Sequence, residues 1–261
     1  MAGAVPKGKD QDLIDRINAL SRQKSADGRI DDWAWRALKR DAESFARIPE
    51  FEGRGLLLLA VIWGMGANPN EMDRCLNLYA GKYGKDWAWY RARAQQGPSF
   101  GRLNTVIDML KFGYPKGDLP NAYFVARVCN QAGLFQTTAD TLEAATRLGG
   151  MCNEDELKYY AHLPSVVRYM NENSVDEREI AKRIERASQV VIQMSGPLTS
   201  FEVYGNESGI TFEYNVDADI ERLVDMDLAI SEALASDFED TYSSHISIGV
   251  TSLAESNISA R

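Results

Sequence analysis

The sequence predicts a mainly α-helical protein that ends in a small mixed module. Apolar residues recur at helical spacing through most of the chain, whereas strand-like alternation occurs only after about residue 200. A Gly196-Pro197 pair, typical of a helix end, separates the two patterns. We therefore expect an irregular α-solenoid or helical bundle of about nine helices, followed by a β-β-α-β module.

The predicted helices follow one another with short loops between them. They cover residues 13–20, 30–48, 55–65, 71–83, 103–110, 121–132, 136–148, 157–170 and 174–194. Pro164 is expected to break the eighth of these helices. In the ninth, Ser174 and Glu177 match a capping box, and an apolar stripe runs from Ile180 to Met194.

One tetrapeptide is repeated within the predicted helical region. The tetrapeptide Asp-Trp-Ala-Trp occurs at Asp32–Trp35 and again at Asp86–Trp89, a spacing of 54 residues. Each Asp is expected to cap a helix, which suggests repeated helical hairpins but no named family. We expect the four tryptophans of the two copies to be buried, with the neighbouring arginines reaching outward: Trp33, Trp35, Trp87 and Trp89.

The last 65 residues contain three segments in which apolar and polar side chains alternate as in strands. Phe201–Tyr204 and Ile210–Val216 predict a hairpin, and His245–Val250 predicts a third strand. Between them, 217–235 reads as an acidic amphipathic helix whose apolar residues are Ile220, Leu223, Val224 and Leu228. We expect a flexible N-terminus (1–11), a helical domain (12–196), an acidic α/β module (197–252) and a flexible tail (253–261).

Charge is spread unevenly along the chain. Residues 1–100 carry 16 basic and 13 acidic side chains, residues 101–200 carry 11 and 12, and residues 201–261 carry 2 and 13, so the nets are +3, −1 and −11. The total of −9 argues against direct nucleic-acid binding and against an anionic membrane surface. The basic residues interleaved with the tryptophans are the feature on which a nucleic-acid-binding alternative would depend.

Cysteine usage and the apolar segments indicate a cytoplasmic protein. The cysteines Cys75, Cys129 and Cys152 do not form a disulfide framework or a metal-ligand spacing. The longest apolar run, 55–67, has 13 residues and is too short to span a bilayer, so we expect a buried central helix there.

Signals for enzymatic chemistry are weak. No phosphate-binding glycine loop and no zinc motif occurs, and neither His162 nor His245 has a catalytic neighbour in the sequence, so we predict no cofactor. Asp217, Glu221 and Asp225 lie at i, i+4 and i+8, which is compatible with a solvated helix face, with a Mg²⁺ or Ca²⁺ site, or with a negative surface for a basic partner.

The charged residues supply the candidate partner-binding set: Asp217, Glu221, Asp225, Asp237, Glu239 and Asp240, with the basic Arg36, Arg40, Arg91 and Arg93. Our first hypothesis is a non-enzymatic helical interaction protein, an adaptor or regulator that binds another protein. The alternative is that the acidic module imitates nucleic acid and inhibits a basic nucleic-acid-binding protein. A carboxylate- and Mg²⁺-dependent enzyme is the second alternative, and the aromatic-rich helices also allow a homo-oligomer.

Overall fold

A computed structural model of the chain describes residues 8–27, 29–198 and 200–253. In these ranges eleven helices precede a three-stranded sheet with one further helix, which confirms the predicted class. The helices are α1 (Lys9–Asp27), α2 (Asp32–Ala46), α3 (Glu52–Met65), α4 (Pro69–Tyr83), α5 (Trp87–Gln96), α6 (Asn104–Phe112), α7 (Leu119–Gln131), α8 (Phe135–Arg147), α9 (Glu154–Tyr159), α10 (Leu163–Asn173), α11 (Glu177–Ser195) and α12 (Ile220–Asp237). The strands are β1 (Ser200–Asn206), β2 (Gly209–Val216) and β3 (Ile246–Ser252).

The described residues before the sheet form two more helices than the nine we expected. The second Asp-Trp-Ala-Trp copy opens a helix of its own, α5, where Asp86 Oδ1 accepts the Trp89 amide at 3.0 Å. The predicted break near Pro164 is confirmed, because the stretch over 157–170 forms two helices, α9 and α10. Pro164 lies in the first turn of α10, where its missing N–H is not needed, so the second helix begins there.

The predicted capping box of α11 is wrong. Ser174 has a φ of 55° and ends α10 in the left-handed conformation, so it cannot cap the next helix. Asp176 is the cap, and its Oδ1 accepts the Arg178 amide at 2.8 Å. Glu177 instead accepts the backbone N–H of Thr137 at 3.0 Å, which ties the start of α11 to α8.

The first of two compact units, Met1–Gln96, is built around α3. Helices α2, α4 and α5 pack on α3, and its residues Ala60 and Ile62 are completely buried. The apolar run at 55–67 is therefore the central helix that we predicted. Among the described residues, no helix is both long enough and apolar enough to cross a membrane.

The second unit, Gly97–Arg261, contains α6 to α12 and the sheet. The strand order is β1-β2-β3, with β1 antiparallel and β3 parallel to β2, and α12 makes the crossover between the parallel strands. Phe212 and Tyr214 of β2 are buried, and the Tyr214 hydroxyl donates to the Ile184 carbonyl of α11 at 3.0 Å. The predicted acidic module thus shares its unit with helices.

The predicted division into a helical domain (12–196) and an acidic module (197–252) stays a prediction. Of the two ends that we expected to be flexible, residues 1–7 and 254–261 lie outside the described residues. Helix α1 begins at Lys9, inside the predicted N-terminal segment.

Candidate protein-binding surfaces

Helix α12 does not bury the side that its sequence suggested. We expected Ile220, Leu223, Val224 and Leu228 to share one core-facing stripe. Only Leu223 of these faces the core, and it does so together with Met226, Ile230 and Leu234. The helix therefore has two apolar sides, of which the fold uses one.

The other apolar side faces solvent. Ile220 is 72% exposed, Val224 51% and Leu228 59%. Their spacing of i, i+4 and i+8 places them in one line along the helix, and we call this line the α12 face. Single exposed apolar residues are ordinary on a protein surface, whereas a contiguous line of them is a candidate binding surface.

Carboxylates border the α12 face on one side. Glu221 and Asp225 each follow a residue of the face by one position, and Glu232 continues their row two turns later. All three are exposed. The helix has a single cation, Arg222, whose guanidinium donates to the Met194 carbonyl at 3.0 Å. The border is therefore uniformly negative.

The predicted row of three acids along one helix face is reduced to two. Asp219, not Asp217, caps α12 by accepting the Arg222 amide at 2.9 Å. Asp217 is exposed in the turn before the helix and lies outside the row that Glu221 and Asp225 form.

The three other predicted acids lie at or beyond the far end of α12. Asp237 pairs with Arg186 Nε at 2.6 Å, and Asp240 Oδ1 accepts the Tyr242 amide at 2.8 Å, while Glu239 is exposed between them. Twelve helical residues, or about 18 Å, separate Asp225 from Asp237. The structure therefore brings Glu221 and Asp225 together and keeps this second group apart from them.

A buried arginine fixes the connection between α12 and β3. Arg183 of α11 is only 4% exposed, and its guanidinium lies 4.2 Å from the Phe238 ring centroid and 4.6 Å from that of Tyr242. It also pairs with Glu179 and donates to the Asp240 carbonyl. Sequence reasoning missed this residue, although a charge inside the Ile180–Ile184 stripe was a signal for it. Because α12 is held at this end, its outer face is preformed.

A second anchor joins the middle of α12 to the edge of the sheet. Asp227 Oδ1 accepts the Val250 amide at 2.9 Å, which satisfies a donor on the edge strand β3. Burial raises the pKa of the Asp227 carboxyl, while this hydrogen bond acts in the opposite direction. Burial, with the nearby charges of Glu202 and Asp227, also raises the pKa of Glu213. Glu202 lies directly opposite Glu213 in the β1–β2 register.

The basic candidates divide between two helices of the first unit. Arg36 and Arg40 are exposed on α2, on the same side as Trp33, and we call these three residues the α2 face. Arg91 is exposed on α5, whereas Arg93 packs its guanidinium 5.4 Å from the Trp89 ring centroid. The α5 pair is thus partly used within the unit.

The expectation that all four tryptophans are buried is wrong for Trp33, which is 84% exposed. Asp31, not Asp32, caps α2, and the buried side of the helix carries Leu38, Ala42 and Phe45, so Trp33 points away from the core. Trp35 and Trp89 do behave as packing residues. Their indole N–H groups donate to the carbonyls of Ile62 (2.7 Å) and Leu76 (3.0 Å).

Each histidine has a polar side chain beside one of its ring nitrogens. His162 Nε2 lies 2.9 Å from Asn130 Oδ1, and burial lowers the pKa of this imidazole to about 4. His245 Nδ1 lies 3.1 Å from the Tyr169 hydroxyl. Within the described part of the chain, no three or more His, Cys, Asp or Glu side chains converge as metal ligands would. The carboxylate- and Mg²⁺-dependent enzyme stays a hypothesis.

No protein-family model, curated protein or solved structure matches this chain.

Proposed function

We propose that this protein is a non-enzymatic interaction protein, an adaptor or regulator, and that its α12 face binds another protein. The observation that carries the proposal is the exposure of Ile220, Val224 and Leu228, each more than half exposed on a helix whose opposite side is packed. Because α12 is anchored by Arg183 and Asp227, a partner would not have to order it on binding.

The carboxylates beside the α12 face indicate what kind of partner it binds. Glu221, Asp225 and Glu232 would lose hydration against an apolar surface at a cost in free energy, so the partner must offer cations there. A basic amphipathic helix supplies apolar residues at i and i+4 with lysines or arginines beside them. Burying the remaining exposed area of three aliphatic side chains contributes about 1 kcal/mol each, which favours a transient rather than a permanent complex.

A basic peptide tests this proposal directly. The probe is a fluorescent helical peptide of about 14 residues, four turns, with leucines on one side and lysines beside them, and anisotropy reports its binding. We expect Val224→Glu/Leu228→Glu to weaken binding at least tenfold, or about 1.4 kcal/mol. Leu148→Glu, at a similarly exposed leucine outside α12, is the matched control and should bind as the wild type does. Equal binding by all three proteins would refute the α12 face as the site.

Nucleic-acid mimicry by the acidic module is the second candidate. It is favoured by the net of −11 over residues 201–261 and by exposed acids such as Asp217 and Glu239. A scrambled peptide of the same composition separates the two candidates, because it keeps the charge and loses the apolar side. Weak binding of the scrambled peptide supports the α12 face, whereas equal binding that falls steeply with salt supports mimicry.

We also place the protein in the cytoplasm. All three of its cysteines are free thiols, and Cys75 and Cys129 are buried. Free thiols in this number accord with a reducing compartment.

A further inference from the structure

We infer that the α12 face also takes a second copy of this chain, which docks through its α2 face. The inference rests on the proposed function, because it names a partner for the same α12 surface. It depends on the charge and shape complementarity of two exposed helix faces, each described within its own unit.

The α2 face has the composition of a binding hot spot. Trp33 is 84% exposed, and the Arg36 side chain beside it is 73% exposed. Tryptophan and arginine are the residues most enriched among those that dominate binding energy at interfaces. Arg36 has a carboxylate neighbour, Asp32, at 3.6 Å, but this exposed pair is worth little and can be exchanged for another carboxylate.

The charged residues of the two faces have the same spacing and opposite signs. Arg36 and Arg40 are four residues apart on α2, and Glu221 and Asp225 are four residues apart on α12, so each pair spans about 6 Å along its helix. When the two charge pairs meet, the Trp33 indole can lie over the aliphatic line of Ile220, Val224 and Leu228. Lysine would not replace either arginine fully, because the planar guanidinium can bind a carboxylate through two hydrogen bonds.

The net charges of the two units also favour association between an α2 face and an α12 face of different copies. Met1–Gln96 carries 16 basic and 13 acidic residues, a net of +3, and Gly97–Arg261 carries 13 and 25, a net of −12. A first unit approaching the second unit of another copy is therefore attracted, although two whole chains of −9 repel each other at long range.

An interface of this kind joins different surfaces of the two copies. Such heterologous contacts close into a ring or continue into a chain, so association need not stop at the dimer. The free α2 face of one end copy and the free α12 face of the other would remain available to further copies. A basic amphipathic peptide bound to α12 should compete with this association.

Complementation between two damaged variants tests the inference. The α2 variant is Trp33→Ala/Arg36→Gln/Arg40→Gln, and the α12 variant is Val224→Glu/Leu228→Glu. Sedimentation velocity on the full chain, from about 1 μM to about 200 μM, covers the range of weak association. We expect the wild type to associate with rising concentration and each variant alone to stay monomeric. Their mixture should give a discrete heterodimer that grows no further, because each partner retains one intact face.

Matched controls keep the outcome specific. Leu148→Glu and Arg47→Gln/Arg74→Gln alter exposed residues outside both faces and should associate as the wild type does. Wild type that stays monomeric throughout, or a mixture that stays monomeric, overturns the inference. Peptide binding by the α2 variant is independent of that result. It should equal that of the wild type if the α12 face binds a basic partner, even when self-association fails.

Discussion

Helices α2 and α12 are each packed against the protein on one side, but their exposed sides carry opposite charges. Each buries one side, and on the other side α2 exposes one large apolar side chain, Trp33, whereas α12 exposes three. On α2 the exposed side is aromatic and basic, whereas on α12 it is aliphatic and bordered by acids. The comparison teaches that an amphipathic pattern predicts a helix without showing which apolar residues its own fold will use. The remaining apolar residues are the ones available to a partner.

The largest expected effect is the difference in the free energy of unfolding between substitutions on the buried and the exposed side of α12. Ile230 is completely buried, so Ile230→Ala should lower the free energy of unfolding by about 2–5 kcal/mol through lost burial and a cavity. Leu228→Ala removes a side chain that is already mostly in water and should change it by less than about 0.5 kcal/mol. Urea denaturation of the two variants measures both values.

An equivalent pair of substitutions, one buried and one exposed, applies the same stability test to α2. Leu38→Ala should cost as much as Ile230→Ala, and Trp33→Ala as little as Leu228→Ala, because Leu38 is buried and Trp33 exposed. A large loss of stability in either exposed-site variant would mean that its face is packed within the protein and is not a docking surface.

Acid should destabilise the second unit through His162, which lies in Gly97–Arg261. Burial lowers the pKa of His162 from 6.5 to about 4, so the unfolded chain takes up a proton before the folded one does. Stability is therefore fully present above about pH 6.5 and is lost as the pH falls toward 4. Linkage gives a loss of about 2 kcal/mol at about pH 5.

Comparison of the wild type with His162→Gln isolates this contribution. The variant should lose less stability between about pH 7 and about pH 5 in urea denaturation, by up to the same 2 kcal/mol. Identical pH dependence in both proteins would show that His162 titrates normally and is not held neutral by burial.

The smallest effect concerns the sheet beside α12. Because the pKa of Glu213 is raised, its charge opposes folding above that pKa, and the penalty disappears as the pH falls through it. Glu213→Gln should therefore stabilise the protein at neutral pH by a few tenths of a kcal/mol, the size expected for like charges opposite each other in a sheet.

The stabilisation from Glu213→Gln should vanish at about pH 4, near the ordinary pKa of a glutamate. Gln replacement of the exposed Glu207 in the β1–β2 turn is the matched control. A gain that is independent of pH would contradict the electrostatic cause.

The sequence predicted the helical class, the hairpin and the helix between the second and third strands, because these depend on local spacing. It failed where neighbouring elements decide the outcome. Ser174 was expected to cap α11, but α10 ends on it in the left-handed conformation. Leu223 and Val224 are adjacent in the sequence, and only packing against α11 and β3 determined which of them is buried.

The candidate sites show the same division. Glu221, Asp225, Arg36 and Arg40 are exposed, as charged residues usually are, and their role in binding stays a prediction. The exposed Trp33 and the buried Arg183 break the usual preference of their residue types, so no composition argument could have found them.

Photocross-linking tests the central claim most directly. A photoreactive amino acid at position 224 reports what contacts the α12 face in native extract, and the same group at position 148 is the control. We predict products at 224 and not at 148, with the cross-link mapping to a basic amphipathic segment of another protein or to α2 of a second copy. The same products from both positions, or none from 224, would contradict the claim that this face is the binding surface.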